Sequence, residues 1–110
     1  MSKMQKACEF PADVRERIKE RDGGCIFCRM GYDVTKDCGY GLQIMHYIPR
    51  SHGGKGVEQN GALGCLYHHN RLDNSPQRAE MMELYRKYLM VQYDNWSEVE
   101  LTYTKWEGMK

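Results

Sequence analysis

This 110-residue chain contains no apolar run long enough to cross a bilayer, which takes about 20 residues. Its opening residues, Met1-Ser2-Lys3-Met4-Gln5-Lys6, lack the apolar stretch of a secretory leader. There is no internal repeat and no low-complexity segment. Nor is there an excess of one charge: the net value is +1 at pH 7, which by itself implies no polyanionic partner. These absences argue against a membrane partner and against a repeat array, and they lead to the expectation of a cytoplasmic protein. With 41% hydrophobic and 28% charged residues the composition is globular. The length suits a single domain, residues 1–110. A chain this short buries a modest share of its surface, so a structural metal would help it fold.

What is present is a dense group of metal-binding residue types. All four histidines and four of the five cysteines lie between Cys25 and Asp73. In a reducing compartment such cysteines point to metal ligation rather than to disulfides. Cys25-Ile26-Phe27-Cys28 and Cys65-Leu66-Tyr67-His68 have the spacing of two halves of a closed four-ligand zinc site. Taken alone, Cys25 and Cys28 are also compatible with two buried core cysteines, the lesser reading; the second half weakens it further. Cys8 and Cys38 are left over and read as free or buried thiols.

In chain order, residues 1–10 read as a loose lead-in. Pro11-Ala12-Asp13 opens a helix whose Val14 and Ile18 share a face, and Gly23-Gly24 ends it. Residues 30–41 are polar and glycine-rich and read as a loop. Leu42 to Ile48 reads as a strand with Ile44, His46 and Ile48 on one face, stopped by Pro49. Residues 51–56 hold three glycines and form a turn. Glu58 to Leu63 returns as a second strand, although Asn60-Gly61 is also a turn signal in its own right. A helix is expected over Leu63–Leu72. On it, adjacent residues point about 100° apart, so His68 can join Cys65 at i+3 while His69 faces elsewhere, alongside Asp73 at i+4. Ser75-Pro76 restarts a helix. Its Met81/Met82, Tyr85 and Tyr88/Leu89 stripe reads as core packing, with a protein partner as the other use of this C-terminal region. Ser97-x-x-Glu100 resembles a capping box and predicts a last short helix, so the C-terminal helical extension is expected over about 75–110.

The series Cys25-x-x-Cys28, His46-Tyr47-Ile48-Pro49-Arg50-Ser51-His52-Gly53-Gly54, Asn60, Cys65-x-x-His68-His69 resembles the HNH endonuclease family. Compact stand-alone phage or mobile-element proteins carry similar stretches. The resemblance spans about residues 25–73. It implies an α+β fold: a small ββα-metal core with a structural zinc site, flanked by helices. It implies a metal-dependent hydrolase acting on DNA in a bacterial or phage-infected cell. His46 would be the general base, Asn60 the brace of its strand, and His69 the anchor of a catalytic divalent ion (Mg²⁺, Mn²⁺ or Ni²⁺). Cys25, Cys28, Cys65 and His68 would hold Zn²⁺.

The residues add their own chemistry. Asp73 is a hard oxygen donor one turn from His69 and suits the same ion. Arg50, Lys55 and Arg71 are candidates for phosphate contacts. Between His46 and Arg78 there are four basic and two acidic residues; from Ala79 onward the counts are four and six. One departure stands out. Where many family members place a metal ligand just before the base, this chain has Met45, a soft thioether that suits a hard ion poorly. That favours the alternative reading, a catalytically weak or inactive zinc-stabilised module of the HNH fold that binds nucleic acid or binds and inhibits a protein. Read alone, His46 is also compatible with a core histidine bonded to a backbone carbonyl, Asn60 with a turn residue, and His52 with an exposed loop histidine.

Overall fold

The computed structural model describes residues 3–103, and only the backbone of Met4. Helices dominate. α1 is Lys3–Ala7, α2 is Ala12–Asp22 and α3 is Ile26–Arg29. Strand β1, Gln43–His46, and strand β2, Gly61–Gly64, form a two-stranded sheet, and α4 (Leu66–Asn74) and α5 (Arg78–Gln92) follow. Three short 3₁₀ turns, Arg50–His52, Glu58–Asn60 and Glu98–Leu101, complete the chain. The class is α+β, with β1, β2 and α4 consecutive. No helix among the described residues is long and apolar enough to cross a membrane.

The sheet is antiparallel, pairing Gln43 with Gly64, Ile44 with Leu63, Met45 with Ala62 and His46 with Gly61. β2 is buried along its whole length and built from small residues, Gly61-Ala62-Leu63-Gly64. The reason is steric. A Cβ on Gly61 would lie 2.7 Å from the Phe10 ring and 3.0 Å from Ile18 Cδ1, and one on Gly64 would collide with the Met45 sulfur. Alternation along β1 turns Met45 and Tyr47 into the core and leaves Ile44 and His46 half-buried on the other face. The core holds Phe27, Met45, Ala62, Leu72, Met81, Tyr85 and Leu89 together, so the stripe on α5 packs as expected. Phe10, Val14 and Ile18 close the other side of the sheet against Leu63.

A buried ionic network ties these layers. Asp22, 1% exposed, accepts from the Leu63 N–H at 2.8 Å, from Arg21 Nε at 2.6 Å and from the Tyr88 hydroxyl. Arg21 in turn donates to the Gly61 and Glu58 carbonyls at 2.6 and 2.8 Å. One ion pair therefore joins α2, β2 and α5.

Several boundaries differ from the expected ones. The lead-in contains α1, and Cys8 and Phe10 are buried. α2 ends as expected, on Gly23 at φ 65°. The third helix of the pattern begins at Leu66, not Leu63: Leu63 and Gly64 are strand, and Cys65 is the N-cap. Asn60-Gly61 makes no hairpin turn, because Gly61 is extended at φ −142°. Ser75 caps the end of α4 rather than the start of α5, which begins at Arg78; its hydroxyl accepts from the Gln77 N–H at 3.1 Å. The final helix is the 3₁₀ turn Glu98–Leu101, with no side-chain cap. Residues 104–110 of the expected extension, like Met1 and Ser2 of the lead-in, lie outside the described residues.

Candidate metal centre and adjoining cleft

Cys25, Cys28, Cys65 and His68 form a group that could hold a metal ion, with every ligand atom within 4.8 Å of the others. Local structure explains the convergence. Cys25 caps α3 and Cys28 lies one turn into it; Cys65 caps α4 and His68 lies one turn into that. His68 Nδ1 is 3.6, 3.5 and 3.3 Å from the sulfurs of Cys25, Cys28 and Cys65, and the Cys28 and Cys65 sulfurs are 3.8 Å apart. A tetrahedral zinc with ordinary bond lengths has edges of about 3.5 Å from nitrogen to sulfur and about 3.8 Å between sulfurs. The donor set and its spacing fit that ion.

The surroundings prepare the ligands. His68 Nε2 donates to the Tyr32 carbonyl at 2.7 Å, which leaves Nδ1 with its lone pair toward the thiols. Burial opposes ionisation at Cys65, but hydrogen bonds from the backbone N–H groups of His68 and Gly39 favour the thiolate, and the thiol falls to about 6. Burial pushes the Cys25 and Cys28 thiols up. Metal binding would therefore expel protons from those two. The half-buried Cys38 lies 3.9 Å from His68 Nδ1 but accepts the Thr35 N–H at 3.2 Å, outside the group of four. All five cysteines are free.

A cleft of about 280 Å³ lies over the other face of β1 and α4, and His46, His69, Asp73, Arg50 and Arg78 line it. His46 Nε2 donates to the Cys8 carbonyl at 2.9 Å, so Nδ1 is the nitrogen able to accept a proton. The Phe10 ring packs on the imidazole at 4.3 Å. Burial pushes the His46 pKa below 6.5, Arg50 and Arg15 add to the effect, and the Cys8 carbonyl works against it. His69 Nδ1 donates to Gln43 Oε1 at 2.8 Å, and its Nε2 lies 3.5 Å from Asp73 Oδ2. That pair offers one nitrogen and one hard oxygen to a shared cation. Met45 contributes nothing here: its side chain is 1% exposed and packed in the core.

Asn60 is fully buried and spans the intervening loop. Its Oδ1 accepts the Ile48 N–H at 2.8 Å, and its Nδ2 donates to the Lys55 and Ile48 carbonyls at 2.9 and 3.2 Å. The three basic candidates separate. Arg50 lines the cleft and faces Glu9 at 3.8 Å. Lys55 lines a different cleft with Trp96. Arg71 pairs with Asp33 at 3.7 Å and lies over the Tyr67 ring. His52 is exposed.

Three groups at the cleft escape a reading of the sequence. Arg78 donates to the Leu72 carbonyl at 3.0 Å beside Asp73. Its signal was its place two residues after the Ser75-Pro76 break, at the start of the next helix. Gln43 had a weaker one, its position at the open end of the strand that carries His46. The Cys8 carbonyl had none, because a backbone acceptor has no residue type. No protein-family model matches this sequence, and no curated protein matches it.

Proposed function

We propose that this protein is a small metal-dependent endonuclease of the HNH type that cuts DNA phosphodiester bonds. The observation that carries this reading is the meeting of His46, His69, Asp73 and two arginines in one cleft beside the Cys₃His centre. The order of β1, β2 and α4 accords with the ββα arrangement that the sequence resemblance implies. The Cys₃His group holds zinc in a structural role, since four protein ligands leave no open position.

His46 Nδ1 takes a proton from the attacking water as its oxygen bonds to phosphorus and the bond to the leaving oxygen breaks. His69 and Asp73 would hold a divalent ion, and Gln43, bonded to His69 Nδ1, leaves Nε2 free for it. When bound, that ion stabilises charge developing on the phosphate and the leaving oxygen. Arg50 and Arg78 meet the phosphate's remaining oxygens. Asn60 keeps the loop after β1 in register, and with it His46.

One observation favours a second reading, a non-catalytic zinc-stabilised module that binds nucleic acid or a protein. With Met45 turned into the core, His69 and Asp73 are the two ligand side chains of the divalent site that line the cleft among the described residues. A plasmid-nicking assay separates the two. Wild type with Mg²⁺, Mn²⁺ or Ni²⁺ converts supercoiled plasmid to open circle, and EDTA or His46→Ala stops it. Equal cutting by His46→Ala, or no metal-dependent cutting at all, removes the enzymatic reading.

A further inference from the structure

The His46–His69 cleft is not isolated. A second cleft, lined by Arg15, Lys19, Leu42 and Gln43, shares Ile44 with it, and a third, beside Cys8, shares Arg50 and Ser51. The three adjoin as one furrow. Along it run four permanently basic side chains, Arg15, Lys19, Arg50 and Arg78, against two carboxylates: Asp73 lines it 3.9 Å from Arg78, and Glu9 faces Arg50 at 3.8 Å. On a chain whose net charge is only +1, Arg15 and Lys19 are left as a local excess of positive charge.

α2 is built to supply it. Val14 and Ile18 face the core, while Arg15 and Lys19, i and i+4, are both exposed on a neighbouring stripe. Arg15 Nε donates to the Phe10 carbonyl at 2.9 Å, which fixes that arginine next to the segment packed on His46. Its charge reaches the His46 imidazole. The Lys19 ammonium has no ion pair or hydrogen bond among the described residues. Cations spread along a furrow, rather than gathered at one point, suit a repeating anion better than a single phosphate.

We propose that this furrow is the track for a nucleic-acid sugar–phosphate backbone, with Arg15 and Lys19 of α2 gripping phosphates on one side of the cleft. The proposal rests on the reading of the cleft given above and extends it to Arg15 and Lys19 of α2, which carry no catalytic or metal-binding role there.

The test is fluorescence anisotropy with a labelled DNA duplex, using the zinc-loaded 110-residue chain without other added divalent ion, over a range of salt concentrations. Each phosphate contact contributes about 0.9 to the slope of log K against log salt. Lys19→Glu lowers the slope by about 1 and weakens binding, and Arg15→Ala/Lys19→Glu lowers it by about 2. Lys87→Glu on α5 is the control and binds as wild type. The single Lys19 variant removes no internal contact, so it stays informative if the double variant folds poorly. Wild-type affinity and slope in Lys19→Glu overturn the track, as does an equal loss in Lys87→Glu. A wild type that binds with these slopes yet never nicks keeps the track and rejects the hydrolytic reading. A wild type that nicks while Lys19→Glu binds unchanged rejects the track alone.

Discussion

His46 carries opposing influences that fix how it titrates. Burial and the charges of Arg50 and Arg15 hold its pKa below 6.5, against the Cys8 carbonyl. A base works only when neutral, so the acid limb of the nicking rate is expected below pH 6.5. Arg50→Gln removes a nearby positive charge and should move that limb upward, whatever it does to the maximal rate. A limb at or above 6.5 in wild type, or one that stays put in Arg50→Gln, contradicts this. The same shift affects stability. Below pH 6.5 the unfolded chain binds a proton at this histidine more readily than the folded one, so stability falls as pH drops through that range. The neighbouring histidines permit a sharper comparison. His68 points into the sulfur group and His69 into the cleft, so His68→Ala should lose bound zinc and melting temperature together. His69→Ala should keep both and lose metal-dependent cutting, and Cys38→Ser should keep all three. Zinc analysis, melting and nicking on each variant decide it; zinc loss from His69→Ala rather than His68→Ala would mean the two roles are exchanged. This separation was legible in the sequence because helical angle alone divides two adjacent residues. The tautomers were not, because they depend on Tyr32 and Cys8 carbonyls distant in the chain.

Elements were legible where a local signal was strong and opaque where tertiary packing set the boundary. Gly23 ended α2 because a left-handed residue stops a helix wherever it occurs. The start of α4 was misplaced because Leu63 and Gly64 suit a helix turn no worse than a strand, until Ile44 and Gln43 pair with them. Asn60-Gly61 looked like a turn because the pair favours one in isolation. Here the Asn60 carboxamide is consumed by the loop it closes, and Gly61 is required for the close approach of Phe10. That assigns Asn60 a measurable role. Asn60→Ala removes three hydrogen bonds to the half-buried loop backbone, from the Ile48 N–H and to the Lys55 and Ile48 carbonyls, at about 0.5–1.5 kcal/mol each. Asn60→Asp can still accept from Ile48 but sets a carboxylate against two carbonyl oxygens, so it should be no milder. Both variants should bind zinc as wild type does and nick more slowly. Wild-type denaturation midpoints in both would reduce Asn60 to a turn residue.

At the scale of the whole molecule two internal clamps hold the layers, and they differ in what their loss should do. The Asp22–Arg21 pair was invisible in the sequence, since an Arg-Asp step near a helix end reads as solvated surface; only the fold brings Leu63, Gly61 and Tyr88 onto it. Removing one partner of such a buried pair costs about 3–5 kcal/mol, a large part of the roughly 5–15 kcal/mol that a domain possesses. Asp22→Ala should therefore melt far lower yet still cooperatively. The Cys₃His group weighs more. Structural zinc contributes about 10–16 kcal/mol in small zinc domains, comparable to or above the whole stability of a typical domain. It joins α3 to α4 beneath Phe27, which is 0% exposed and packs 5.6 Å from the His68 ring. Stripping the metal leaves three thiols and an imidazole crowded together with nothing to share. The stripped protein should show no cooperative melt at 25 °C, and one equivalent of zinc should restore it. Asp22→Ala should take up the same single equivalent, because none of the partners of the Asp22 carboxylate is a ligand of the centre. If the stripped protein instead melts within a few degrees of the loaded form, the core of α2, α5 and the sheet suffices without the metal, and the centre must be kept for some purpose other than folding.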